Sequence, residues 1–97
     1  MDLIEVSVRE DNITVTGHAG YAPPGQDIVC AAVSTLFQTL IKSIEDLAHD
    51  EISYHIAQNR ANIDYGNLSE KSRTLIDSFF VGITMIASEY PDYIRVV

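Results

Sequence analysis

Hydrophobic and polar residues alternate over four short stretches of the chain, the pattern of strands with one buried face. These stretches are residues 3–9, 13–16, 52–56 and 61–65. A polar turn separates the first two, and the polar link Gln-Asn-Arg at 58–60 separates the last two. Each pair therefore predicts a β-hairpin.

Two longer stretches carry apolar residues at steps of three and four, which is typical of amphipathic helices. The first is expected to run from about Ile28 to Ala48, and the second to begin after the capping residue Ser69 and end before Pro91. The first apolar stripe consists of Val29, Val33, Leu36, Phe37, Leu40, Ile44 and Leu47. The second consists of Leu75, Ile76, Phe79, Phe80, Ile83 and Ile86.

Residues 92–97 predict a final strand, so the element order is β-β-α-β-β-α-β. Strands with one polar face and two amphipathic helices predict the α+β class. The expected architecture is a two-layer sandwich, in which both helices cover one face of a largely antiparallel sheet.

The 97 residues predict one domain, residues 1–97, and 46% of them are apolar, as in an ordinary globular fold. So small a domain buries a modest share of its surface, which favours a homodimer. The formal net charge is −8, which argues against direct binding of nucleic acid. An acidic surface suits a basic protein partner, although it also simply keeps a small protein in solution.

A single cysteine excludes an intrachain disulfide, and the N-terminus lacks the basic and apolar regions of a signal peptide. No apolar run is expected to reach the length of a membrane span, so the predicted compartment is the cytoplasm. One cysteine with the scattered His18, His49 and His55 matches no zinc spacing. We therefore expect no metal and no cofactor.

A glycine- and proline-rich stretch joins the second predicted strand to the first predicted helix. Its glycines permit backbone angles that other residues resist and let the main chain of a substrate approach closely. The expected substrate loop contains Gly17, Gly20 and Gly25. Pro23 and Pro24 stiffen the middle of this loop. The loop is either a gate that swings about its glycines or an ordered surface loop, and the sequence leaves both open.

Asp27 is expected to be the N-cap of the first helix, which places Cys30 in the first turn. The helix N-terminus and the imidazolium of His18 are expected to lower the pKa of the thiol, at least with substrate bound. A Cys–His pair suffices for nucleophilic attack on an acyl group, and first-turn amides, that of Cys30 among them, are candidates to hold the oxyanion. The residues alone leave a second interpretation open, in which Cys30 is a small apolar core residue.

The run Gly-His-Ala at 17–19, followed by Gly-Gln-Asp-Ile-Val-Cys-Ala-Ala-Val-Ser at 25–34, resembles the ribosomal-processing cysteine protease family, Prp. Chain length and element order resemble that family as well. The resemblance implies a cysteine endopeptidase of ribosome biogenesis that removes an N-terminal extension from ribosomal large-subunit protein twenty-seven. It implies that His18 is the catalytic histidine and Cys30 the nucleophile. It also implies a homodimer, and a substrate with apolar residues, an aromatic among them, before the cut.

Two further residues match motif positions of that family, and their roles stay open. Asp27 is expected to cap the helix and to orient local groups. Ser34 lies one turn after Cys30, where its hydroxyl either orders the site or bonds back to a carbonyl of its own helix. The alternative function is a binding module that holds a ribosomal protein during ribosome assembly without cutting it.

Overall fold

The computed structural model of the protein describes residues 3–23 and 25–97, so the predicted loop residue Pro24 lies outside the described residues. The elements follow the predicted order, and the α+β class is confirmed. The strands are β1 (Ile4–Val8), β2 (Asn12–Thr16), β3 (Ser53–Ile56), β4 (Arg60–Asp64) and β5 (Ile94–Val96). The helices are α1 (Ile28–Ser43), which continues as a π-helical turn (Ile44–Ala48), and α2 (Glu70–Glu89).

The five strands form one mixed sheet in the order β3-β4-β2-β1-β5. Every neighbouring pair is antiparallel except β1 and β5, which are parallel. The register sets Ile13 opposite Ile63, and Ile4 opposite Ile94, so the buried apolar residues of adjacent strands share one face. Because side chains alternate along a strand, Thr14, which lies between Ile13 and Val15, is on the opposite, polar face. Both helices therefore pack on the apolar face, as predicted.

The core lies between this face and the two helices. The ring centroids of Phe37 and Phe79 are 6.3 Å apart in an edge-to-face arrangement, a favourable geometry for aromatic pairs. Where the helices are closest, a Cβ on Gly82 would lie 2.9 Å from Cδ1 of Leu36. The side chains that α1 and α2 bury are those of Val29, Val33, Phe37, Leu40, Ile41, Ser72, Ile76, Phe79 and Ile83.

Two residues of the predicted apolar stripes are exposed. Leu47 is 58% exposed, because it lies in the π-helical turn, where the wider winding rotates side chains away from the α-helical stripe. Phe80 lies at the edge of the α2 stripe and is 40% exposed. For these two positions the predicted burial is wrong.

The segment Ile28–Ala48 is long and apolar enough to cross a membrane, with a mean hydropathy of 1.4. The expectation that no apolar run reaches that length is therefore wrong by length and composition. In this structure the segment is the core helix, whose Val33, Phe37 and Ile44 are buried in the hydrophobic core. The core helix of a globular fold passes the same length and composition test, so the segment is weak evidence for a membrane span.

Candidate active site

Strand β2 leads into Gly17, a position that requires glycine. Its φ is +90°, and a Cβ there would lie 2.2 Å from the carbonyl oxygen of Leu3. Its N–H donates to the carbonyl of Asn59 at 2.9 Å. The start of β1 and the β3–β4 turn therefore fix the backbone that carries the exposed His18.

Asp27 caps α1, as predicted. Its Oδ1 accepts the N–H groups of Val29 and Cys30 at 3.0 and 2.9 Å, and its Oδ2 accepts the N–H of Tyr21 at 3.1 Å. Burial alone would raise the pKa of Asp27, but the three amides and the Cys30 thiol that donate to the carboxylate hold it below its ordinary value. One side chain thus sets the start of the helix and ties the loop to it.

Cys30 lies half-buried in the first turn of α1, and its Sγ accepts the N–H of Ala19 at 3.5 Å. Burial raises the pKa of the Cys30 thiol above its ordinary value, and the Ala19 amide offsets only part of that rise. The Asp27 carboxylate raises the pKa further, because it repels a thiolate and accepts a hydrogen bond from the thiol. Without substrate the pKa of the thiol is thus raised, and its lowering with substrate bound stays a prediction.

His18 and Cys30 line the same two cavities, so the fold brings the predicted pair to one site. Within residues 3–23 and 25–97, the hydrogen-bond partner of the thiol sulfur is the Ala19 amide rather than the imidazole of His18. Without substrate, the imidazole and the thiol therefore face a common space but are not yet paired.

The first of these cavities, the hairpin groove, has a volume of about 270 Å³ and lies between α1 and the β3–β4 hairpin. Its walls include apolar side chains of both elements, such as Phe37 and Ile56. The second, the loop cavity, has a volume of about 590 Å³ and lies against the loop and the start of α1. The residues that line both cavities are His18, Cys30, Ser34 and Gln58. An extended peptide that filled both cavities would place one bond at this junction, beside the thiol.

In the protein without substrate the first-turn amides are already engaged, and their expected role in holding an oxyanion stays a prediction. The N–H of Cys30 and that of Val29 donate to the Asp27 carboxylate, and the N–H of Ala31 donates to the Asp27 carbonyl at 3.0 Å. An oxyanion at Cys30 would have to displace the N-cap to use them. Donors elsewhere at the junction would leave the N-cap bonds intact.

The loop between β2 and α1 is anchored by its tyrosine. The Tyr21 ring meets those of Tyr90 and Tyr93 edge-to-face, with centroid distances of 5.6 and 5.1 Å. Gly20 and Gly25, on either side of this anchor, have φ values of +64° and +88°. The described part of the loop thus combines two left-handed glycines with a fixed aromatic contact, and whether it opens as a gate stays a prediction.

Another cleft, of about 680 Å³, includes neither Cys30 nor His18 in its lining. It is lined in part by the carboxylates of Glu45, Asp50, Glu51 and Asp64. Asp50 already accepts hydrogen bonds from the hydroxyls of Ser69 and Ser72, and these bonds lower the pKa of Asp50. Within the part of the chain that the structure describes, no group of three or more His, Cys, Asp or Glu side chains could hold a metal ion.

Sequence patterns missed two features of this site. Gln58 belongs to the polar link between two predicted strands, and no local signal connects it to Cys30. Tyr21, Tyr90 and Tyr93 come together only because α2 returns the chain to β5, beside the loop. An aromatic residue in a glycine-rich loop was the one available hint of an anchor.

The chain is similar to known proteins over nearly its whole length. The chain is 29% identical to the ribosomal processing cysteine protease Prp of Mycoplasma pneumoniae, over 95% of this chain and 91% of that protein. It is 28% identical to the ribosomal processing cysteine protease Prp of Bacillus subtilis, over 97% and 96% respectively. The fold matches that of the S. aureus ribosomal processing protease Prp in complex with a covalently linked product peptide, with a TM-score of 0.88, 20% identity and coverage of 99% and 97%. The family model for cysteine protease Prp matches residues 3–95, and the chain therefore belongs to the Prp family of cysteine proteases.

Proposed function

We propose that this protein removes a short N-terminal extension from ribosomal large-subunit protein twenty-seven, with Cys30 and His18 as its catalytic dyad. The observation that carries the proposal is the position of Cys30, half-buried in the first turn of α1 at the junction of two cavities that His18 also lines. A cysteine protease needs a nucleophilic thiol, and this sequence contains one cysteine.

The chemistry follows from the two groups. His18 takes the proton of the Cys30 thiol, and the thiolate forms an S–C bond with the scissile carbonyl carbon. The resulting oxyanion collapses, the C–N bond breaks, and the leaving amine takes the proton from the imidazole. Water, deprotonated by His18, then cleaves the thioester, which releases the carboxylate product and restores the thiol.

Substrate binding would assemble this dyad. In the free protein the raised pKa keeps the Cys30 thiol protonated, and its sulfur accepts the N–H of Ala19. Little thiolate is therefore present before substrate binds. A peptide in the two cavities would exclude water from the junction and press the imidazole of His18 toward the sulfur. Such a device protects other proteins from an open nucleophile.

The proposed partner is the N-terminal segment of a ribosomal large-subunit protein, and a basic protein suits the net charge of −8 on the protease. The hairpin groove offers apolar walls for the apolar and aromatic residues expected before the cut. We also propose that the protein is a homodimer. We propose the cytoplasm as its compartment, because a catalytic thiol must stay reduced.

The test is incubation with a peptide that spans the cleavage site of the precursor, followed by mass spectrometry. We expect two products from the wild type and none from Cys30→Ala, which keeps the helix because alanine is a good helix former. Cys30→Ser should also be nearly inactive, since a histidine alone activates a hydroxyl poorly. Thermal unfolding of each variant shows that the fold is retained.

Two outcomes would contradict the proposal. Substantial cleavage by folded Cys30→Ala would exclude the thiol mechanism. Retention of the intact peptide by the wild type, without new termini, would favour the binding module instead.

A further inference from the structure

In the protein without substrate, the amides at the start of α1 are not free to hold an oxyanion at Cys30. The three first-turn amides nearest the sulfur, those of Val29, Cys30 and Ala31, all donate to Asp27. Preorganised donors aimed at the developing charge are commonly the largest single contribution to acyl-transfer catalysis. A donor on another wall of the junction could hold the oxyanion without breaking the N-cap bonds.

The residues that line both the hairpin groove and the loop cavity carry an imidazole, a thiol, a hydroxyl and a primary amide. The amide belongs to Gln58, which alone of the four lies on the β3–β4 turn, away from α1 and the loop. The imidazole has its own task as the base. The hydroxyl of Ser34 lies on the same helix as the thiol, one turn further along, and is the alternative donor at this junction.

The backbone on both sides of Gln58 is held in place. The N–H of Ala57 donates to the carbonyl of Arg60 at 2.9 Å, which closes the turn. The carbonyl of Asn59 accepts the N–H of Gly17, which ties the turn to the residue before His18. The turn that carries Gln58 is thus fixed relative to the base, as a preorganised donor requires.

We propose that the side-chain amide of Gln58 donates a hydrogen bond to the oxyanion of the tetrahedral intermediate and is a catalytic residue of this site. A neutral amide suits the role, because it stabilises the oxyanion without repelling the imidazolium of His18 and gives up no proton. The N–H of Ala19, which donates to Sγ at 3.5 Å in the free protein, is a second candidate donor. This inference rests on the proposed peptidase function.

The test compares Gln58→Ala and the isosteric Gln58→Glu with the wild type in peptide cleavage. Losing one oxyanion donor should lower kcat by about 10²–10³-fold while KM changes little. The glutamate variant should be at least as impaired, because a carboxylate repels the oxyanion, whereas a purely structural role would tolerate it. The matched control is His55→Ala, on the polar face of β3 in the same hairpin, which should leave kcat unchanged.

A second measurement keeps this inference separate from the proposed function. The Cys30 thiol adds to the carbonyl carbon of a peptide aldehyde to give a hemithioacetal. An S–C bond forms, the thiol proton passes to the former carbonyl oxygen, and that oxygen occupies the oxyanion position. Its affinity should fall by about 10²-fold in Gln58→Ala, while the affinity of the corresponding peptide alcohol stays the same. This readout works even if the wild type cleaves no peptide, an outcome that would overturn the proposed function alone.

The inference is overturned if kcat and aldehyde affinity in Gln58→Ala both stay within threefold of the wild type. If Ser34→Ala instead shows the loss of kcat and of aldehyde affinity, the hydroxyl is the donor and Gln58 is not.

Discussion

Adding one methyl group at Gly17 should damage both the fold and the site. The variant Gly17→Ala forces alanine into φ +90°, which costs about 1–2 kcal/mol for an L-residue. Its Cβ would also lie 2.2 Å from the Leu3 carbonyl oxygen, a backbone atom that can yield only if β1 or the loop shifts. Such overpacking adds about 1–3 kcal/mol, so the free energy of unfolding should fall by about 2–5 kcal/mol. That is a large part of the roughly 5–15 kcal/mol typical of a domain.

The matched control is Gly25→Ala, at a φ of +88° with nothing within 4 Å of the added Cβ. Its free energy of unfolding should fall only by the cost of placing alanine at a positive φ, about 1–2 kcal/mol. A third variant, Gly66→Ala, has neither a positive φ nor a close neighbour and should lie within about 1 kcal/mol of the wild type. Urea unfolding at fixed pH measures all three free energies.

The functional readout of the same series is peptide cleavage by the folded fraction. Gly17→Ala should lose more activity than Gly25→Ala, because the shift that relieves the clash moves His18 away from the thiol. Equal losses of unfolding free energy in Gly17→Ala and Gly25→Ala would refute the argument from the Leu3 carbonyl. In that case conformational strain alone would explain the requirement for glycine.

Three further predictions concern the thiol, the loop and the assembly. Because burial and the nearby carboxylate raise the pKa of Cys30, alkylation of the wild type by iodoacetamide should accelerate at a more alkaline pH than that of free cysteine. The variant Asp27→Asn removes the carboxylate but keeps a capping oxygen, so its alkylation profile should shift to lower pH. A non-cleavable substrate peptide should do the same in the wild type but not in His18→Ala; identical free-cysteine profiles in all cases would contradict the pairing. Amide exchange of residues 19–26 should be rapid in the free protein and slow with that peptide bound, whereas equal protection would mean a preformed loop. Sedimentation should show a dimer rather than a 10.7 kDa species, and Met85→Glu, at an exposed apolar position on α2, should weaken it.

Local signals in the sequence predicted most of the secondary structure. Asp27 and Ser69 were identified as N-caps because capping depends on the residue and its next few neighbours. The strands of both hairpins followed from alternation of period two, but the predicted buried face is wrong for β3, whose four residues are all exposed. Strands β1 and β5 are shorter than predicted by at least one residue at each end, because strand pairing stops before the alternation of apolar and polar residues does.

Features that depend on contacts distant in sequence were not predictable in the same way. The parallel pairing of β5 with β1 arises because α2 carries the chain back across the sheet, and the π-helical turn shows no composition of its own. The thiol pKa depends on where the Ala19 amide and the Asp27 carboxylate lie relative to Sγ, which spacing does not fix. The sequence indicated the pair His18 and Cys30 but not that they stay unpaired without substrate.

The contact of Tyr21 with Tyr90 and Tyr93 allows tyrosine fluorescence to report on movement of the loop. The protein has no tryptophan, and this cluster contains three of its five tyrosines, so its near-ultraviolet emission is dominated by few rings. Any movement of the loop that separates Tyr21 from its partners changes the environment of most of the chromophores at once. Loop motion can thus be followed in stopped flow on the unlabelled protein, and Tyr21→Trp would give a single emitter at the site of movement. The timing of that signal relative to product formation would show whether loop closure or chemistry limits turnover.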